Sequence, residues 1–212
     1  RRPFCVGIAD SVAKSVVQRV IAPALQLQEP LRLICREGRL TFLLAELAVH
    51  HLDMVIADRP MPPNLNVRGY SHLLGASDLS IFAAPGLAAK LPDEFPALLE
   101  DAPFLLPGED VAIRPRLEQW FMSHNVRPRI IGEFDDSALI TAFGAAGAGL
   151  FVAPTAISEA LFQQYGVLSL ASIVALKEEL YAITTERHLT HPAIVAIRDA
   201  ARDEVFGKNS GE

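Results

Sequence analysis

The sequence predicts an α/β protein: two α/β lobes joined by two crossing strands. Three observations carry that prediction. Apolar runs of strand length alternate with helical stripes from the start of the chain. A second series of the same kind begins near residue 76, and one last strand and helix remain at the end as spare parts of the first series. Strand–helix–strand alternation implies a parallel sheet covered by helices. A chain that leaves one lobe, builds another and returns makes two crossings, and the cleft between such lobes is a natural binding site. The expected division is residues 1–75 with 178–212 for the first lobe and residues 76–177 for the second.

In the first lobe, FCVGIAD (4–10) reads as a buried strand that ends at Asp10-Ser11. Val12, Val16 and Val20 then repeat every four residues, with Val17, Ile21 and Leu25 beside them. That is a helical stripe, with Asp10 or Ser11 as its cap and Pro23 bending it. LRLICRE (31–37) is a strand, 40–51 a helix that Thr41 can cap, and LDMVIAD (52–58) a strand. After a proline-rich break at 59–66, residues 67–75 and 79–84 read as two strands, and Gly75–Asp78 between them as the first crossing. The second lobe reads as strands at 102–107, 127–134 and 149–154, with helices at 114–125, 137–147 and 155–165, the last stopped by Gly166. VLSLA (167–171) and 179–186 read as two more strands, 191–206 as a last helix, and GKNSGE as a loose tail.

The composition excludes several classes. The chain has 212 residues, half of them hydrophobic and 21% charged, which is a globular composition. A net charge of -6 gives no basic surface for wrapping DNA. No apolar stretch approaches the length of a membrane span. RRPFCVGIADS lacks the apolar run and cleavage site of a secretory leader, so a cytoplasmic location is expected, and the early first strand reads as the start of one domain of a longer chain. Cys5 and Cys35 read as small buried hydrophobes near strand starts.

The search for chemistry returns helix caps and turns. Asp135 and Asp136 are adjacent on an extended segment and point to opposite sides, so they do not converge as an acid–base pair. One of them is expected to cap the helix that starts near Ser137, at the mouth of the cleft. GAAGAG (144–149) ends a helix and precedes a strand, the reverse of a dinucleotide loop. Gly147 is expected to close the helix in a left-handed conformation and Gly144 to permit close packing. Ser11 has no base assigned to it and lies outside any Gly-x-Ser-x-Gly turn, and Arg39 can fork a carboxylate from the next turn. His50 and His51 are adjacent, so they do not share one helix face, while Glu186, His188 and His191 straddle a helix start. Leu117, Trp120 and Phe121 form an apolar helix face for a core or a subunit interface. No nucleophile–base set and no metal set emerges, so neither an enzyme nor a cofactor is expected.

Several stretches resemble one family. VGIADSVAKSVVQRVIAPAL (6–25), CREGRLTFLLAELAVHHLDMVIAD (35–58), HLLGASDLSIFAAPGLA (72–88), GEFDDSALITAFGAAGAGLFVAPTAI (132–157) and LYAITTERHLTHPAIVAI (180–197) are similar to the effector-binding part of LysR-type transcriptional regulators. Within that family they look like the sodium-responsive activators of sodium/proton antiporter genes, the NhaR type. The resemblance implies a type 2 periplasmic-binding-protein-like fold and a small effector or ion in the interlobe cleft. It also implies a homodimer of this domain, a tetramer at full length, and DNA contact only through an N-terminal helix-turn-helix. It places effector contacts at Ser11, at Arg39, Leu40 and Thr41, near Ser80, at Phe134, Asp135, Asp136 and Ser137, and at Pro154 with Thr155. Many members carry a small hydroxyl residue where this chain has Leu40, which argues against a benzoate-like carboxylate held in the usual way. The alternative is a periplasmic solute-binding component of a transport system, which shares the lobes and the cleft.

Overall fold

A computed structural model describes residues 3–206, residue 204 for its backbone only. The expected loose tail at 207–212 lies outside the described residues. Contacts divide the chain into two compact units, Arg1–Ala76 with Glu179–Glu212 and Ser77–Glu178.

The first unit is built on β1 (Pro3–Ala9), β2 (Arg32–Gly38) and β3 (Met54–Ala57). The first half of β4 (Tyr70–Ala83) and the last part of β8 (Leu168–Thr184) complete its sheet, in the order β2-β1-β3-β8-β4. β1 runs parallel to β2 and β3, and β8 runs antiparallel to β3. β1 and β3 are inner strands, and their side chains are correspondingly apolar: Val6, Met54 and Ile56 are fully buried. Helix α1 (Lys14–Ile21) buries Val16, Val17, Val20 and Ile21 of the predicted stripe, and Val12 is buried just before it, but Leu25 lies beyond the helix and is 58% exposed. The helix gives way at Pro23 to a 3-10 turn, Ala22–Gln26, because proline has no amide hydrogen to continue the ladder. Helix α2 (Leu40–Ala48) buries Leu43, Leu44 and Leu47, and α7 (Pro192–Ala200) buries Ile194 and Ile197 before a π-helical turn at Ala201–Phe206.

The second unit contains the rest of β4 and β8, with α3 (Pro85–Ala88), β5 (Pro103–Pro107), α4 (Arg114–Ser123), β6 (Arg129–Phe134), α5 (Ser137–Ala145), β7 (Phe151–Pro154) and α6 (Ser158–Tyr165). β6 pairs in parallel with β5, β5 bridges in parallel to Leu150 just before β7, and β7 pairs antiparallel with β4. The apolar face of α4 faces the core of this unit: Leu117 is fully buried, and the Phe121 ring meets Phe104 edge-on with centroids 5.2 Å apart. Helix α6 follows a 3-10 turn at Thr155–Ile157 and ends at Gly166, whose φ is 72°.

Four expectations need correction. β4 and β8 are continuous strands of 14 and 17 residues where the sequence reads as two pairs of shorter ones. Gly75–Asp78, read as the first crossing, does span the boundary between the units at Ala76/Ser77, but its polar residues are satisfied inside one strand. Ser77 donates to Asp78 O at 2.9 Å and accepts from the Ala156 amide at 3.2 Å, and Lys177 pairs with Asp78 at 2.6 Å. Neither Asp10 nor Ser11 caps α1. Its cap position is Ala13, because the turn closed by Val12 N–H on Ala9 O uses those residues first. Thr41 lies inside α2, which starts at Leu40 and is preceded by Arg39 with no side-chain cap. Finally, both thiols are free, and Cys35 is exposed rather than buried. It sits on the outermost strand of the sheet, where alternate side chains face solvent.

Candidate functional site

Parallel strands bring their carboxyl ends to one end of a sheet, and the turns that follow collect there. In the first unit this gathers the turns after β1 and β2. Asp10 N–H donates to Gly38 O at 3.1 Å, and Lys14 pairs with Glu37 at 2.9 Å. Ser11 therefore shares one end of the sheet with Arg39, Leu40 and Thr41. Ser11 and Leu40 are half-buried, and Arg39 and Thr41 are exposed. The first amides of α2 have no acceptor within the helix, so this end offers donors as well as the Ser11 hydroxyl. Asp58, at the end of β3, is a buried carboxylate within 3.4 Å of Arg59 Nε. The sequence reading missed it, since a strand-final aspartate looks like any turn residue.

In the second unit the turns after β5, β6 and β7 are gathered in the same way. Asp136 is the cap of α5, accepting from the Ala138 and Leu139 amides at 2.8 and 3.0 Å. Asp135 points elsewhere. Gly108, in the turn after β5, donates its amide to Phe134 O at 2.8 Å, and a Cβ on Gly108 would stand 1.9 Å from Asp135 Oδ1. The Asp135 carboxylate thus lies directly over a glycine that leaves it room. Arg114 holds the two turns beneath it. Its guanidinium donates to Pro107 O at 2.7 Å and to Glu133 at 3.0 Å, and also contacts Glu118. Burial lowers the Arg114 pKa, but the two glutamates outweigh it and the net shift is upward. Ser137 opens α5 and is half-buried. The Phe134 ring packs against Phe143 at 5.1 Å.

Ser80 and Thr155 meet. Their hydroxyls are 2.7 Å apart, and Ser80 also reaches the Ser172 hydroxyl at 3.1 Å. Ser80 is fully buried, Pro154 is buried and Thr155 half-exposed. Ser80 is therefore a support for Thr155, and Thr155 is the member of the pair that offers a surface. Sequence reading missed Gly108, Ser77 and Ser172, whose roles depend on partners far along the chain. Gly147 has a φ of 87°, and Gly144 lies where a Cβ would stand 2.2 Å from the Phe151 ring, both as expected. His191 Nδ1 accepts from the Ala193 amide at 3.1 Å and caps α7, with its ring on Phe4. Among the described residues no group of three or more His, Cys, Asp or Glu is placed to hold a metal ion, and no helix is long and apolar enough to cross a membrane.

Comparison with known proteins gives three results. The profile of the LysR substrate binding domain matches residues 1–205. The chain is 35% identical over 203 residues to the transcriptional activator protein NhaR of Escherichia coli (strain K12), and equally to that of Shigella flexneri. That alignment covers 96% of this chain and 66% of each relative, so the chain spans a little under two-thirds of the relatives' length. Among solved structures, the cofactor-binding domain of the Cbl transcriptional regulator superposes with a TM-score of 0.72 at 14% identity, covering 94% of this chain and 87% of that one. The effector-binding domain of QuiR in complex with shikimate gives 0.65 at 16% identity, with 94% of each chain covered. The CcmR regulatory domain of Synechocystis PCC6803 in complex with 2-PG gives 0.68 at 15%, covering 96% and 99%.

Proposed function

Because the chain belongs to the LysR substrate-binding domain family and has its periplasmic-binding-protein-like fold, we propose that it is the ligand-sensing regulatory domain of a transcriptional activator in the cytoplasm. The observation that carries this reading is the 35% identity to NhaR over 96% of the chain. On this reading the full-length protein contacts DNA through an N-terminal helix-turn-helix, and this domain forms a homodimer within a tetramer. The signal is sodium, and the domain itself performs no catalysis.

The turns at the strand ends are the proposed contacts. Ser11, Arg39, Leu40 and Thr41 serve from the first unit, and Phe134 to Ser137, Pro154 and Thr155 from the second. Ser80 supports Thr155 from beneath. The reading of Asp135 and Asp136 as contacts narrows to their outward lone pairs, since Asp136 already accepts two amides. An effector that binds one arrangement of the two units more tightly shifts the population toward it, and the attached DNA-binding segments change their spacing. The strands β4 and β8, which run from one unit into the other, are where that change is absorbed.

The test uses the full-length regulator and a fluorescent promoter fusion, titrated with sodium chloride against potassium chloride at equal ionic strength. Thr155→Val and Ser11→Ala are expected to move the half-maximal sodium concentration by about threefold to thirtyfold, the range for losing one or two neutral hydrogen bonds. Unchanged curves in both variants would remove these turns from the site.

A further inference from the structure

We propose that the first unit carries a second small-molecule site, for a monocarboxylate with a compact apolar body, in the groove between the edge of the β1–β2 pair and α2. The groove is a cavity of about 390 Å³. That is within the size range of small-ligand sites. Its floor is apolar: Ile34, Leu43 and Leu52 line it, and Cys5 stands beside them. Gly7 explains how deep the floor lies. A Cβ there would stand 2.6 Å from Leu52 and 3.1 Å from Leu43, so both leucines settle onto the sheet only because position 7 has no side chain. Phe42 forms a wall and is 59% exposed, an aromatic ring with little of the protein covering it.

The charged groups decide what such a floor can accept. Four ionisable side chains besides Cys5 line the groove: Arg36, Glu37, Glu46 and His51. Three are already matched. Glu37 is held by Lys14 at 2.9 Å, and Glu46 and His51 hold each other at 3.0 Å. Among the described residues the Arg36 side chain has no hydrogen bond or ion pair, and the residue sits opposite Gly7 in the strand register, above the lowered floor. A planar guanidinium beside an apolar surface accepts a carboxylate through two parallel bonds. The two glutamates at the rim disfavour a second negative charge on the ligand, which selects a monoanion. The apolar body then covers Phe42 and the leucines. None of the turn residues proposed for the signal lines this groove, although its rim residue Glu37 is paired with Lys14 beside those turns, and the proposal stands or falls without them.

The experiment is a titration of the chain with potassium 4-methylpentanoate, followed by amide resonances, with 4-methylpentanamide as the uncharged control. Saturable shifts are expected at Ile34, Arg36, Phe42 and Leu43 with the acid, and much weaker ones with the amide. Arg36→Gln is expected to weaken binding by about tenfold, the loss of one charge-assisted contact. Both Arg36 and Phe42 are exposed, so Arg36→Gln and Phe42→Ala leave the fold in place, and the remaining resonances report this directly. The proposal is overturned by the absence of saturable shifts up to ~20 mM. It is also overturned by equal binding of the amide, by Arg36→Gln binding as tightly as the parent, or by shifts confined to Ser11 and Thr155.

Discussion

At the scale of single residues, Asp136 and Asp135 divide two tasks that their adjacency conceals. Asp136 accepts two amides at the start of α5, so Asp136→Ala is expected to cost about 1 kcal/mol, and Asp136→Asn only a fraction of that. Denaturant midpoints of the two variants measure the difference. Gly144 gives the opposite lesson about helix propensity. An alanine there favours the helix by about 1 kcal/mol in isolation, yet its Cβ would meet the buried Phe151 ring at 2.2 Å. Overpacking of that kind costs about 1–3 kcal/mol, so Gly144→Ala is expected to lower the unfolding midpoint. Both roles were legible in the sequence because they depend on residues close by in the chain, the first amides of α5 for Asp136 and Phe151 for Gly144. The meeting of Asp135 with Gly108 was not, since it depends on how β5 and β6 pair. The same holds for Ser80, which reads as a ligand contact and proves to be buried behind Thr155.

At the scale of elements, strand periodicity located every strand of the sheets but failed where a strand is long. β4 and β8 carry serines and charged residues that resemble punctuation, and the pairing of Lys177 with Asp78 makes those residues compatible with a strand. β2 shows the converse. Its apolar start suggested burial, but it is the edge of the sheet and exposes Cys35. Desolvation by its neighbours and, secondly, the charge of Glu37 push the Cys35 thiol up from its ordinary value. Less thiolate is then present at any pH below that point, so iodoacetamide is expected to alkylate Cys35 more slowly than it alkylates free cysteine at pH 8, and Glu37→Gln is expected to quicken the reaction. Mass spectrometry of the labelled peptide measures both rates. β6 and α5 present Ile130, Ile131, Leu139 and Phe143, each at least 43% exposed. We assign that surface to the proposed homodimer. Ile131→Lys is expected to shift the chain toward monomer in sedimentation velocity, and an unchanged distribution would move the interface elsewhere.

At the scale of the whole molecule, the alternation of strands and helices made the fold class readable without any structure. The gathering of turns at strand ends followed from the parallel pairing. What the chain senses was not readable in the same way, because the turns contain common residues and their pattern has no unique chemical reason. The family match supplies the family, the identity to NhaR supports the function proposed, and the turn geometry supplies the residues to test. The central claim is that this chain confers effector control on a transcriptional activator. The most direct measurement replaces the matching segment of Escherichia coli NhaR with residues 1–205 of this chain and reads a promoter fusion in cells lacking NhaR. The account predicts expression that depends on this segment and rises with sodium chloride relative to potassium chloride. Expression equal to that of the DNA-binding segment alone, in both salts, would contradict it.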